Sequence, residues 1–134
     1  RPERNRGSGL MTAVLQGLTI MVVEDEFLVA NLIEHMLEDA GCAVWGPFPR
    51  LAEAVDGAAH ADCDAAVLDV NLAGERIYPV AEILARRNIP FLFVTGYDGG
   101  SLPKEYAGRP RLHKPFKSAE LLHALSDLIR PADA

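Results

Sequence analysis

Side chains able to bind a hard cation and a phosphoryl group stand at the ends of short apolar runs in this chain. Asp25 follows Met21-Val22-Val23-Glu24, and Asp69 ends Ala66-Val67-Leu68. Thr95 ends Phe91-Leu92-Phe93-Val94, and Lys114 stands directly before Pro115. Carboxylate oxygens suit a hard divalent ion. A carboxylate can also attack phosphorus, while a hydroxyl and an ammonium can donate hydrogen bonds to phosphoryl oxygens. Gaps of 44, 26 and 19 residues separate Asp25, Asp69, Thr95 and Lys114, so only the fold can bring them together. A parallel sheet does so, because the carboxyl ends of its strands share one edge and ligands bind there.

The elements of such a sheet can be read along the chain. Thr19–Val23 is continuously apolar and β-branched, as a strand covered on both faces should be. Val29, Leu32, Ile33, Met36, Leu37 and Ala40 then recur at helical spacing. Gly41 follows directly, which predicts a left-handed helix cap. Residues 42–48 predict a second strand ended by prolines, and the Ala-rich stretch 50–60 a second helix. Residues 65–68 form a third strand, 71–74 a turn, and 75–87 a third helix with Pro79 tolerable near its first turn. Residues 89–94 predict a fourth strand.

The segment 96–110 carries four glycines and two prolines over its length, which predicts a loop with at most a short helix near 101–106. Arg111–His113 is a short fifth strand. Leu121, Leu122, Leu125, Leu128 and Ile129 mark a last helix, with Ser118 as N-cap and Glu120 in its first turn. Strands alternating with helices predict an α/β, doubly wound, five-stranded parallel sheet with helices on both faces and a short or irregular fourth helix.

The bulk properties restrict what this domain can do. Its 134 residues suit one domain, and 49% hydrophobic residues suffice for a core. A net charge of −6 and a pI near 5.1 argue against nucleic acid as a partner. The local basic group Arg109, Arg111, Lys114 and Lys117 reads as a solvated loop. Cys42 and Cys63 read as buried free thiols, and His35, His60, His113 and His123 lack zinc-ligand spacing. No apolar run approaches the ~20 residues of a membrane span. Residues 1–17 read as a disordered or tag-like segment, with Met11 as a possible native start, 18–130 as the domain and 131–134 as a tail. A cytoplasmic protein is expected.

Taken in order, these motifs resemble the receiver domain of two-component response regulators (the CheY-like family) from about Leu18 to Arg130. An acidic pair follows strand one, a lone Asp strand three, Thr strand four and Lys-Pro-Phe strand five. The segments 68–75 and 90–97 are similar to a subgroup of alphaproteobacterial single-domain receivers with a Phe-Ala-Thr-Gly-type motif, here with Val94 in place of Ala. The resemblance implies the flavodoxin-like strand order 2-1-3-4-5. It implies Asp69 as phosphoacceptor, with Thr95 and Lys114 contacting the phosphoryl group. It implies Mg²⁺ (Mn²⁺ as substitute) held by Glu24, Asp25, Asp69 and the backbone carbonyl of Asn71, and a cis Lys114–Pro115 bond.

The family usually carries an aromatic residue three positions before the Lys, and Arg111 stands there instead. The switch is then expected to involve Gly96 and Tyr97. A sensor histidine kinase or phosphotransfer protein is the implied donor and an undefined protein the implied target. Contact would run through the fourth-helix region, strand five and the last helix. Such a domain is a switch rather than an enzyme, with self-phosphorylation from small donors and slow autodephosphorylation. Two other readings are a degenerate receiver used only for docking and a haloacid-dehalogenase-type phosphatase. Against the latter, Asn71 stands where that family needs a second Asp, and Asp69 lies mid-chain.

Overall fold

The computed structural model describes residues 13–96 and 102–129. Its five-stranded parallel sheet consists of β1 (Thr19–Val23), β2 (Ala43–Phe48), β3 (Ala65–Asp69), β4 (Phe91–Thr95) and β5 (Arg111–His113). Their spatial order is β2-β1-β3-β4-β5, so the order reverses between β1 and β3. The helices are α1 (Phe27–Asp39), α2 (Leu51–His60), α3 (Tyr78–Arg86) and α4 (Ser118–Ile129). Between β4 and β5 the described residues hold only a 3₁₀ turn, Lys104–Tyr106, which is the short irregular element expected there.

Every residue of β3 and β4 is buried, because alternate side chains enter opposite apolar layers. Met21, Val23, Ala66, Leu68, Phe91 and Phe93 face one layer, with Ala54 and Ala58 of α2 and Val80, Ala81 and Leu84 of α3. Ile20, Val22, Ala65, Val67, Leu92 and Val94 face the other, with Ile33 and Leu37 of α1 and Leu121 and Leu125 of α4. The continuous apolar runs of the sequence are the signature of this double covering.

Two helices end in the same way. Gly41 has φ +87°, Cys42 N–H donates to Leu37 O and Gly41 N–H to Glu38 O, which closes α1 with a Schellman motif. Asn88, with φ +60°, closes α3 through Ile89 N–H to Leu84 O and Asn88 N–H to Ala85 O. Glycine signalled the first ending; asparagine, the next most tolerant residue, made the second less visible.

Three local expectations are corrected. The third helix begins at Tyr78 rather than residue 75, because Glu75–Arg76 pairs antiparallel with Asn71–Leu72 in a small ribbon. Its turn residues Ala73 and Gly74 both have positive φ, 53° and 89°, as a two-residue hairpin loop requires. The last helix starts with Ser118 as its first helical residue rather than its cap. The Glu120 carboxylate reaches back to Lys117 N–H at 2.7 Å, which fills an otherwise open donor of the first turn.

The ordered domain also begins before residue 18. Leu15 is fully buried in the layer under α1, and Gly17 N–H donates to Gly41 O. Leu15→Ala is therefore expected to lower unfolding free energy by about 2–4 kcal/mol in urea titration. An unchanged midpoint would return this segment to the exterior.

The 3₁₀ turn is anchored by Tyr106, which stacks on Tyr78 at 5.5 Å between ring centroids and meets Phe93 edge-on at 5.7 Å. The Arg109 guanidinium lies 4.4 Å above the Phe91 ring.

Candidate phosphoacceptor and metal site

β1 delivers Glu24 and Asp25 just past its end, β3 ends on Asp69, β4 on Thr95, and Lys114 follows β5. Neighbouring register puts these ends level: Val23 pairs with Leu68, Asp69 with Val94 and Thr95 with His113. Lys114 N–H donates to Thr95 O at 2.8 Å, which fixes the fifth strand end to the fourth. The Lys114–Pro115 bond is cis, as is Gly46–Pro47 at the sheet edge.

Ligand oxygens of Glu24, Asp25 and Asp69 lie within 4.8 Å of one another. Glu24 is 2% exposed and Asp69 4%, so both carboxylates are largely removed from bulk water. Asp69 Oδ1 accepts a hydrogen bond from Asn71 N–H at 3.2 Å. Asp25 Oδ2 accepts one from Ala73 N–H at 3.1 Å, which ties the ribbon turn to the acidic cluster. The turn is further held by Gly74 N–H to Asn71 Oδ1.

Lys114 brings the positive charge. Its Nζ lies 3.0 Å from Glu24 Oε1, 2.8 Å from Glu26 Oε1 and 3.5 Å from Asp69 Oδ2. Burial alone would pull this ammonium down, but its bonds to Glu26 and Glu24 and the charge of Asp69 hold its pKa above the usual lysine value. Burial, the charge of Glu24 and a hydrogen bond shared with it push the Asp69 carboxyl up to about 8, against the opposing pull of Lys114.

That shift has a sign. The folded protein keeps a proton on Asp69 that the unfolded chain releases near the ordinary aspartate value of 3.8. The associated stability is complete below about pH 4 and is lost as pH rises towards about 8. Urea midpoints of the metal-free domain should fall across this window. A flat profile would show that Asp69 is ionised throughout.

The donor set fits a small hard cation. It offers three carboxylates and nothing soft. Glu24 Oε1 is buried and has no hydrogen-bond partner among the described residues, since Lys114 approaches it within ion-pair distance but outside hydrogen-bonding geometry. A buried anionic oxygen without a donor is costly unless a cation serves it.

Gly96 and Asn71 line the same cleft, of about 690 Å³, as Asp25, Asp69 and Lys114. Thr95 is buried at the end of β4, and among the described residues its hydroxyl donates to Leu112 O at a long 3.5 Å. Arg111 is exposed on β5 and is not among the lining residues. Tyr97 lies outside the described residues. Sequence reasoning missed Glu26 as a partner of Lys114 and Ala73 as a donor to Asp25. The only available signal for Glu26 was its place beside the acidic pair.

Comparison with known proteins agrees with this geometry. The response regulator receiver domain profile matches residues 20–126. No curated protein sequence matches. Among solved structures, SdrG from Sphingomonas melonis Fr1 is 40% identical with a TM-score of 0.77, over 84% of this chain and 97% of that one. The receiver domain of sensor histidine kinase PA1611 from Pseudomonas aeruginosa PAO1, which has a magnesium ion coordinated in its active-site cleft, is 29% identical. Its TM-score is 0.72, over 84% of this chain and 98% of that one. The response regulator PhyR from Brucella abortus is 27% identical with a TM-score of 0.73, over 87% of this chain and 50% of that one. With the acidic cluster at the carboxyl edge of a 2-1-3-4-5 sheet and the family profile spanning that sheet, the chain belongs to the response regulator receiver domains of two-component signalling.

Proposed function

We propose that this chain is a single-domain response regulator that accepts a phosphoryl group from a histidine kinase or phosphotransfer protein onto Asp69, in a Mg²⁺-dependent reaction. The observation that carries this reading is the convergence of Glu24, Asp25 and Asp69 on one point with the Lys114 ammonium beside them. The single-domain part of this reading rests on the resemblance of segments 68–75 and 90–97 to single-domain receivers.

Each residue has a defined task. One Asp69 oxygen attacks phosphorus, and the N–P bond of phosphohistidine breaks as the O–P bond forms, the electron pair staying on the imidazole. Asn71 N–H steadies the other carboxyl oxygen. Thr95 turns its weakly held hydroxyl from Leu112 O to a phosphoryl oxygen, and Lys114 brings its ammonium to another. Glu24, Asp25, Asp69 and the Asn71 carbonyl would hold the divalent ion. When bound, Mg²⁺ (or Mn²⁺) offsets negative charge on the acceptor and the transferring group.

The product carries roughly two negative charges, and Thr95 and Lys114 follow it. Gly96 gives room for that movement, and Tyr97 supplies the moving ring in place of the aromatic residue that Arg111 replaces. Output is then a protein contact through β5 and α4, or simple removal of phosphate from the relay. Among the described residues no helix is long and apolar enough to cross a membrane, and a cytoplasmic place suits exchange with a kinase.

Incubation with Mg²⁺ and acetyl phosphate, followed by intact-mass measurement, tests the reading. One added phosphoryl group that decays slowly is expected. No mass gain from acetyl phosphate or from a phosphorylated histidine donor would refute phosphoacceptance and leave a docking module.

A further inference from the structure

Lys114 is held by a carboxylate that the phosphoacceptor reading does not use. An ammonium has three N–H donors. Here three carboxylates compete for them, and the shortest approach, 2.8 Å, belongs to Glu26, while Asp69 has the longest, 3.5 Å. Glu26 is the exposed member of the set, its side chain 59% accessible against 1% for Glu24 and 6% for Asp69. Its own backbone N–H donates to Glu24 Oε2 at 3.1 Å, which sets the start of α1 against the cluster. Water can replace the Lys114 ammonium at Glu26 with little loss, whereas buried Glu24 has no such substitute.

We propose that Glu26 is a positioning residue that restrains Lys114 at the cleft mouth, so that Glu26 and the phosphoryl group on Asp69 compete for one ammonium. The proposal rests on Asp69 as phosphoacceptor. In the resting protein Lys114 is drawn toward the exposed rim. When Asp69 carries a phosphoryl group, the Glu26 bond is the one Lys114 gives up. The strength of that bond sets how readily Lys114 engages the modified side chain. A plain alternative is that Glu26 acts only by repelling the anionic group.

Affinity for fluoroberyllate, which mimics a phosphoryl group on a carboxylate, separates these ideas in the presence of Mg²⁺. Glu26→Gln should tighten fluoroberyllate binding about two- to fivefold, the scale of an exposed ion pair. In a Lys114→Ala background the same substitution should change nothing, whereas pure repulsion would give the same gain in both backgrounds. Unchanged or weaker binding by Glu26→Gln overturns the proposal, as does an equal gain without Lys114.

The Lys114 ¹⁵Nζ resonance gives a second readout that does not depend on binding to the double variant. In the free Glu26→Gln protein it should move towards its position in the fluoroberyllate-bound wild type. No displacement overturns the proposal. If wild type takes up neither fluoroberyllate nor a phosphoryl group, the phosphoacceptor reading itself has failed, a distinct result.

Discussion

Asp69→Asn is expected to take up no phosphoryl group and, without divalent ions, to be more stable than the wild type. The first effect follows from removal of the carboxylate that is held between Asn71 N–H and the Lys114 ammonium. An amide has no comparable nucleophilicity, so loss should be complete in intact-mass measurement. The second follows from electrostatics. Asp69 is buried against Glu24, whose charge is among the causes that raise its pKa to about 8, and above that pH the Asp69 carboxyl is ionised in this setting. Replacing one by a neutral isostere removes that repulsion and keeps an oxygen for the Asn71 N–H.

The expected gain at high pH is about 1–2 kcal/mol, or roughly 4–10 °C in unfolding midpoint. Mg²⁺ should stabilise the wild type by mass action and the variant far less. Calorimetry in chelator and in Mg²⁺ checks both statements together. A mass gain equal to wild type would refute Asp69 as acceptor. A metal-free variant less stable than wild type would refute the repulsion argument alone.

Lys114→Ala is expected to act in the opposite direction on the resting fold. It leaves Glu24 and Asp69 buried without their shared counter-charge. Removing one partner of a buried pair costs about 3–5 kcal/mol. The cleft is open to water and Lys114 is 17% exposed, so about 2–4 kcal/mol is the better expectation here. Saturating Mg²⁺ should return most of this loss, because the ion supplies the missing charge. Mg²⁺ affinity should stay within about tenfold of wild type and shift upward, since Lys114 and the ion compete for Glu24 and Asp69. Denaturant titration with and without Mg²⁺ reads the first effect, and titration calorimetry the second. A tenfold fall in Mg²⁺ affinity would show that Lys114 helps to build the metal site rather than to occupy it.

The middle of the sheet was readable from sequence because its central strands are covered on both faces. Burial of every residue in β3 and β4 leaves an unbroken apolar run with a polar residue at its end. Asp69 and Thr95 stood out because each marks such an end, and Lys114 because Pro115 follows it. The start of α3 was misread because Glu75 and Arg76 suit a helical first turn, and only pairing with Asn71 and Leu72 claims them for a ribbon. Leu15 escaped because a single leucine beside Gln16 and Gly17 has no periodicity, and its burial depends on α1 and on Cys42 across the sheet edge. The bond between Glu26 and Lys114 spans 88 positions and depends on two long side chains meeting, which spacing does not encode.

The sheet separates two apolar layers that share no side chains. Substitutions in one layer should therefore be nearly blind to substitutions in the other, because residues without common neighbours contribute independently. The layer under α2 and α3 can keep its packing while the layer under α1 and α4 drifts. A lineage of such proteins can thus exchange the surface of α4 for a new one without renegotiating the aromatic cluster around Tyr106 on the opposite side.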